Sequence, residues 1–336
     1  MRFLPDLFKS LSNQTFLDFN ILVIDNGSTD GVEAYIREHY PEITILRNAR
    51  NLGFTGAHNQ GIRYALEHWE PSSYHDNFVL VTNPDLILPS NFIKTLMLDV
   101  PSHPTVGAFG GKLRRAFGEN LTDEALQETI QSDLIDSTGL RAHKNRTFTD
   151  RGAGEMDKGQ YDESRDVFGI SGALVLYRAS ALNDIRFEDE FFDEDFFAYK
   201  EDVDLAFRLR LAGFKSFYLP EAVAYHDRSV KGPRDLSDRA VRKSRSRKDK
   251  MVKAYSYKNH LLMLFKNEFK RNLIRFGWPI CWYEFKKLAF IFLFEQSTIR
   301  GLKMFLKQKK KNKLKRKYIY KNLVKVKPND LAKWYE

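Results

Sequence analysis

The chain predicts an α/β fold: a mostly parallel sheet flanked by helices, with a basic α-helical extension at its C-terminal end. Three observations point there. Residues 1–228 alternate short β-rich runs with helical patterns, as βαβ units do. Of its 336 residues 43% are apolar, enough to bury a sizeable core, and the length allows two domains or one with an appendage. Charge divides along the chain: residues 229–336 hold 31 Lys+Arg and 8 Asp+Glu, net +23, leaving 23 and 36, net −13, for residues 1–228. An acidic globular part, residues 1–229, is thus followed by a basic tail, residues 230–336.

Phe3–Leu11 has helical spacing and lacks the apolar length of a signal peptide. Asn20–Asp25 (NILVID) is a buried-type strand ending in the turn Asn26-Gly27-Ser28, after which Ser28 or Asp30 can cap a helix. Ile43–Leu46 is a second strand, Phe54–His68 a helix, and Phe78–Thr82 a third strand closed by Asn83-Pro84-Asp85. Thr105–Leu113 and Gly172–Tyr177 are further strands, separated by Thr147–Val167, a polar, Gly-bearing stretch that reads as a long loop. Asp202–Ala212 is a helix with Gly213 as its left-handed cap, followed by a strand at Ser216–Leu219. The tail holds a basic run, Arg239–Lys253, two apolar segments, Tyr255–Phe269 and Phe276–Phe294, and the nearly pure charge of Lys307–Lys317. Lys258, Lys266, Glu284, Lys286 and Lys287 keep both apolar segments short of a spanning helix.

Five places carry chemistry, each with a plainer reading. Asp25 and Asp30 stand at the carboxyl end of a strand, where ligands bind in open α/β sheets, yet an Asx turn and a helix cap use the same residues. Asn51, Gly53, Gly56 and Asn59 lie where a loop enters a helix, and free N–H groups there suit a diphosphate; a flexible turn is the alternative. Asp85, stiffened by Pro84, could supply one of the few protein carboxylates that a nucleotide-bound Mg²⁺ or Mn²⁺ requires, or merely complete a turn. Glu201 and Asp202 begin a helix beside the aromatic run Phe191–Tyr199, which reads as the wall of an acceptor cleft holding a general base. Asp204, four residues before Arg208, is assigned to helix support. His226 is ordinarily a satisfied polar residue, and as a neutral imidazole it could join a metal shell.

In order, the segments IDNGSTDG, NLGFTGAHNQGI, VTNPDLIL, RGAGEMDKGQYDE, GISGALVLYRASAL, FFDEDFFAYKEDVDLAFRLRLAGFK and AYHDRS are spread over nearly all of residues 1–229. Together they resemble the family-two inverting glycosyltransferases of the GT-A fold, closest to the bacterial rhamnosyltransferase-like branch. The resemblance implies transfer of a sugar from a nucleoside-diphosphate donor, with rhamnose suggested, to a hydroxyl of a saccharide or lipid-linked acceptor in cell-surface polysaccharide synthesis. It implies that Asp25 contacts the base, that Asp30, Asn51, Gly53, Gly56, Asn59 and Asn83 lie near nucleotide and diphosphate, and that Asp85 and His226 hold Mg²⁺ or Mn²⁺. Asp202 matches the base, with Glu201 its companion, and Gly172, Phe197 and Tyr199 fall on the acceptor side. Asn83 departs from the family's Asp-x-Asp. The family's opening strand is also absent, so the natural product is expected to start upstream; without that strand an unpaired edge would lie mid-sheet.

Two other readings compete. A sugar-nucleotide nucleotidyltransferase shares a related sheet, but FFAYKEDVDL is not its motif. A nucleic-acid-binding protein would use the basic tail. That tail interleaves charge with WPICWYEFKKLAFIFLF, which reads instead as an interfacial anchor on an anionic membrane, against the plain alternative of a helical subdomain with a solvated basic face. No nucleic-acid partner is expected. A single cysteine, Cys281, precludes an internal disulfide and fits a reducing compartment; the expected location is cytoplasmic, peripheral on the inner face of the cell membrane.

Overall fold

Leu7, Phe8 and Leu11 share one face of α1 (Leu4–Ser12), and that face is buried, as its spacing predicts. The computed structural model in which this is seen describes residues 1–118, 129–227 and 249–336. The predicted tail boundary and most of the run Arg239–Lys253 lie outside the described residues.

After α1 come β1 (Leu22–Asp25), α2 (Val32–His39), β2 (Thr44–Arg47), α3 (Gly53–Glu67), β3 (Phe78–Thr82), β4 (Leu86–Ile87) and α4 (Phe92–Asp99). The chain continues through β5 (Val106–Gly118), β6 (Thr129–Ser137), β7 (Leu140–Ala142), β8 (Phe148–Asp150), β9 (Arg165–Val167), β10 (Leu174–Arg178), α5 (Ala179–Ile185), α6 (Glu201–Leu211) and β11 (Lys215–His226). The tail is helical: α7 (Lys250–Asn267), α8 (Lys270–Arg275), α9 (Gly277–Phe294), α10 (Ile299–Tyr318) and α11 (Pro328–Ala332). Neither Ser28 nor Asp30 caps α2; Gly31 does so in the left-handed conformation.

The sheet is mixed rather than mostly parallel. Its strand order is β3-β10-β5-β11-β4, with β6 on β5 and β9 on β11. Within it β5 and β11 run parallel, while β10 opposes both β3 and β5. The cause is the segment between β5 and β10. Where the sequence predicts a loop over 147–167, β8 and β9 bracket it, so the chain re-enters the sheet from strands instead of a helical crossover, which would enforce a parallel return. The strand predicted at Ser216–Leu219 runs on past Pro220 to His226 as β11, with a register shift between Leu219 and Val223; a bulge accommodates the proline that a regular ladder excludes.

β1 and β2 form a separate parallel pair. Among the described residues no ladder joins β1 to β3, although α3 packs against both. One apolar core lies under α1, α2 and α4. The other gathers α3, α5 and α6 together with Leu262, Met263, Ile319 and Leu331 of the tail, so tail helices and α6 share one interior. Gly301 permits this closeness: a Cβ there would stand 2.4 Å from the Ala254 carbonyl oxygen of α7.

Candidate active site

Three chain segments build one corner of the site. Asn83-Pro84-Asp85 leaves the end of β3, and antiparallel pairing of Leu86 with His226 sets Asp85 beside the end of β11. His226 Nε2 lies 3.3 Å from Asp85 Oδ1, and Nδ1 lies 2.9 Å from Oδ2 of Asp136 on β6. Asp136 is fully buried, and no motif in the sequence marks it. Burial disfavours a charged imidazole, but the hydrogen bonds to Asp136 and Asp85 outweigh it and push His226 up to about 9. The line carboxylate–imidazole–carboxylate is the arrangement that orients a metal-ligating histidine. Apart from the 3.3 Å approach of His226 Nε2, which is too poorly aligned to satisfy it, Asp85 Oδ1 is buried without a partner, so this corner fits a divalent cation that draws its remaining ligands from a diphosphate and water. Among the described residues no cluster of three or more potential ligands exists.

The second corner is the start of α6. Lys200, the residue before the helix, has φ +66°, and Phe197 and Tyr199 are also left-handed, at +65° and +74°. This unfavourable backbone turns Glu201 and Asp202 into the first helical turn. Asp202 Oδ2 accepts from Gly172 N–H at 3.1 Å and Oδ1 from Val203 N–H at 2.7 Å. Gly172 has no space for a side chain, since a Cβ would stand 2.9 Å from that of Asp202. The next residue, Ala173, accepts from Asn83 N–H at 2.8 Å, so one short turn links Asp202 to the Asp85 corner. Burial raises both carboxyls, and the charge of Asp202 adds to the effect on Glu201, which reaches about 8. Glu201 Oε2 has no partner, whereas Asp202 has two N–H donors and the helix dipole favouring its ionised form. Of the two, Asp202 is therefore the carboxyl whose ionised form is favoured and Glu201 the one whose protonated form is.

The aromatic run before this helix corrects an expectation. Phe191, Phe192 and Phe196 are completely buried, and Asp193 is buried with them, so most of the predicted aromatic wall is core; of its aromatic residues only Phe197 and Tyr199 retain substantial exposure. The tail holds the run in place. Lys266 of α7 pairs with Asp193 and lies 2.8 Å from Asp204, while Lys315 of α10 reaches Asp193 and Glu190, both at 2.6 Å. Burial acts against the Asp193 carboxylate, but these two lysines hold it well below the usual range. Asp204 does pair with Arg208 at 3.1 Å, and it also accepts from Asn267 at 2.6 Å, so it belongs to a buried network rather than a helix surface. Asn259 of α7, with no exposed area, donates from Nδ2 to the carbonyls of Phe196, Ala198 and Tyr199 at 3.0, 2.8 and 2.7 Å.

On the donor side the predicted residues are sorted. Asp25 Oδ1 closes an Asx turn with Ser28 N–H at 2.9 Å, and its Oδ2 lies 3.4 Å from Arg47 Nε. Asp30 is exposed and pairs with the N-terminal amine, away from the other site residues. Asn59 is buried and receives the N–H groups of Phe191 and Phe192 at 3.1 and 2.8 Å, so it anchors the aromatic run instead of a nucleotide. Asn26, not singled out as a site residue in the sequence, staples the loop: its side chain bonds Asn51, Gly53 O and Leu52 N. Gly53, at φ +76°, and Gly56 are required for close packing; a Cβ on Gly53 would stand 2.5 Å from the Phe197 ring, and one on Gly56 2.9 Å from Leu52. Thr55 N–H at the start of α3 donates to Phe197 O at 3.2 Å. The loop carrying Asn51 and Gly53 and the loop before Glu201 thus touch at Phe197.

A family model described as Glycosyl transferase family 2 matches residues 2–186, and one described as Glycosyl transferase family group 2 matches residues 140–306. The chain is 32% identical over 231 residues to an N-acetylglucosaminyl-diphospho-decaprenol L-rhamnosyltransferase of Mycobacterium tuberculosis, covering 67% of this chain and 72% of the relative. It is 28% identical over 210 residues to rhamnosyltransferase WbbL of Escherichia coli, covering 62% of this chain and 72% of that protein. A crystal structure of GalNAc-T7 with UDP, GalNAc and Mn2+ superposes with a TM-score of 0.56 at 12% identity, over 80% of this chain and 46% of that one; the likeness is one of fold.

Proposed function

The chain belongs to glycosyl transferase family 2, and from that footing we propose that it moves a deoxyhexose such as rhamnose from a nucleoside diphosphate to a hydroxyl of a lipid-linked saccharide, with inversion, in the synthesis of a cell-surface polysaccharide. It is a glycosyltransferase; donor, acceptor and stereochemistry are our reading. The rhamnosyltransferase relatives support the donor sugar, and the lipid diphosphate in the name of the mycobacterial one supports the acceptor.

The observation that carries the mechanism is Asp202, held between two backbone N–H donors at the start of α6. Asp202 accepts the proton of the acceptor hydroxyl as its oxygen bonds the anomeric carbon, while the bond from that carbon to the diphosphate oxygen breaks on the opposite face. Glu201 keeps its proton and leaves one negative charge at the base rather than two. Asp85 and His226, the latter on giving up its Nε2 proton, would hold Mg²⁺ or Mn²⁺, which would supply positive charge beside the departing diphosphate. Asp136 fixes the His226 ring by accepting from Nδ1–H, leaving Nε2 turned toward Asp85. Asn26 shapes the donor loop, and Phe197 and Tyr199 offer the exposed aromatic surface on the acceptor side. The catalysis is placed at the cytoplasmic face of the cell membrane, in keeping with a lipid-linked acceptor and the basic tail. Among the described residues no helix is long and apolar enough to cross a membrane.

A donor screen that measures nucleoside diphosphate release, with a short saccharide-diphospho-lipid as acceptor, tests the reading. Asp202→Asn should abolish turnover and spare donor binding; near-normal turnover in that variant would sink the assignment.

A further inference from the structure

α9 is an 18-residue helix, GWPICWYEFKKLAFIFLF, in which Ile291 is the one fully buried residue. Its inward side meets α7 through polar contacts: Glu284 accepts from Tyr257 at 3.4 Å and lies 2.8 Å from His260 Nε2. The outward side carries Trp278, Trp282, Phe285 and Phe292 at helical spacing, exposed by 79, 49, 62 and 68%. Rings of the first three form a parallel ladder at about 6 Å steps: 6.1 Å from Trp278 to Trp282, and 6.0 Å on to Phe285. Ile274 of α8 extends the apolar surface at the same end. A contiguous exposed aromatic strip of this kind marks an interaction surface.

Charge around the strip selects the partner. Arg271, Arg275 and Lys286 are exposed on α8 and α9, Lys286 sits 5.5 Å above the Trp282 ring, and the following α10 bears the lysine run 307–317. Aromatic side chains ringed by cations suit the headgroup region of an anionic bilayer, where tryptophan rings sit and basic residues meet lipid phosphates. At about 1.5 Å per residue the helix is roughly 27 Å long, and Glu284, Lys286 and Lys287 interrupt it, so it would lie along the surface rather than cross it.

We propose that the Trp278–Phe292 face of α9 is the docking surface for an anionic lipid bilayer. This rests on the reading that the acceptor is lipid-linked: a docked α9 keeps the enzyme where such an acceptor resides. The surface is separate from Asp202 and Asp85, so it can be removed without touching the chemistry.

The test uses the full chain with vesicles of phosphatidylglycerol or of phosphatidylcholine alone, with and without brominated acyl chains. Anionic vesicles should carry the protein in flotation, less so as salt rises. Bromine should quench Trp278 and Trp282, two of the four tryptophans, and leave Trp69 and Trp334, which pack on the core. The triple variant Trp278→Ser, Trp282→Ser, Phe285→Ser should lose roughly tenfold or more in vesicle affinity, as expected for three aromatic side chains leaving an apolar phase, yet retain transfer to a water-soluble acceptor. Absence of quenching, or equal vesicle binding by wild type and variant, overturns the proposal. So does a wild-type dimer that becomes monomeric in the variant without either binding lipid, since the strip would then join two copies. Lipid docking without any sugar transfer would instead refute the functional reading and leave the surface standing.

Discussion

Replacing Asn259 by Ala removes the donor that ties α7 to the loop before Glu201. Its amide nitrogen carries two hydrogens and faces three carbonyls at 2.7–3.0 Å, all within a buried space. Each buried acceptor left without a partner costs roughly 1–3 kcal/mol, so two of them amount to about 2–6 kcal/mol. Part of that loss falls on the loop itself. Phe197, Tyr199 and Lys200 are all held at positive φ, a conformation costing about 1–3 kcal/mol per residue that persists only while surrounding contacts impose it. Once the clamp is gone the loop relaxes, and Asp202, three residues beyond Tyr199, moves with it; a displacement near 1 Å costs on the order of 100-fold in rate. The expected result is a kcat between about 10- and 100-fold lower with the donor Kd nearly unchanged, since the lost contact orients the base and binds no substrate. Asn259→Asp should be worse than the alanine variant, because it sets a carboxylate against three carbonyl oxygens. Steady-state kinetics beside thermal unfolding separates the possibilities: a lowered Tm with wild-type kcat would show that the clamp supports the fold alone and would refute the argument.

Lys266→Met leaves Asp193 and Asp204 short of a buried counter-charge, which should cost about 3–5 kcal/mol in chemical denaturation; Lys311→Met, at a site 53% exposed, should cost under about 1 kcal/mol. Glu201 titrates near 8 in the folded protein against 4.5 ordinarily, so the folded state binds the extra proton between those values. Its contribution to stability is complete below pH 4.5 and is lost as pH climbs through 8; Glu201→Gln should flatten that decline, as Tm measured across the range would show. Asp136→Asn should weaken Mn²⁺ binding roughly 10- to 100-fold, read by electron paramagnetic resonance with nucleoside diphosphate present, and an unchanged affinity would remove Asp136 from the metal corner.

Elements with strong periodicity were legible before any coordinates. β3 has the bounds that its apolar run predicts, and α6 is displaced by one residue at each end. β8 and β9 were not, because a run of three residues, two of them polar, becomes a strand only when a partner strand is present. Asp202, Asp85 and His226 were legible as chemistry because each stands next to a strand or helix end; Asp136, inside β6, has no local mark. Lys258 and Lys266 looked like interruptions of an apolar helix. Lys266 is buried because Asp193 and Asp204, some sixty to seventy residues earlier, need a cation there, and Lys258 donates to the Asp195 carbonyl; spacing along one segment carries no sign of partners so distant.

That distance has a consequence for how the enzyme comes into being. A growing chain folds from its N-terminal end, so α6 and its acidic prelude leave the ribosome well before Lys266, and longer still before Lys315. Until those lysines arrive, Asp193 lacks its cations and Asp204 has Arg208 alone, and the phenylalanines around them lack the helices that cover them. The loop before Glu201 is therefore completed only once the tail helices have been made, rather than with the segment that carries the motif.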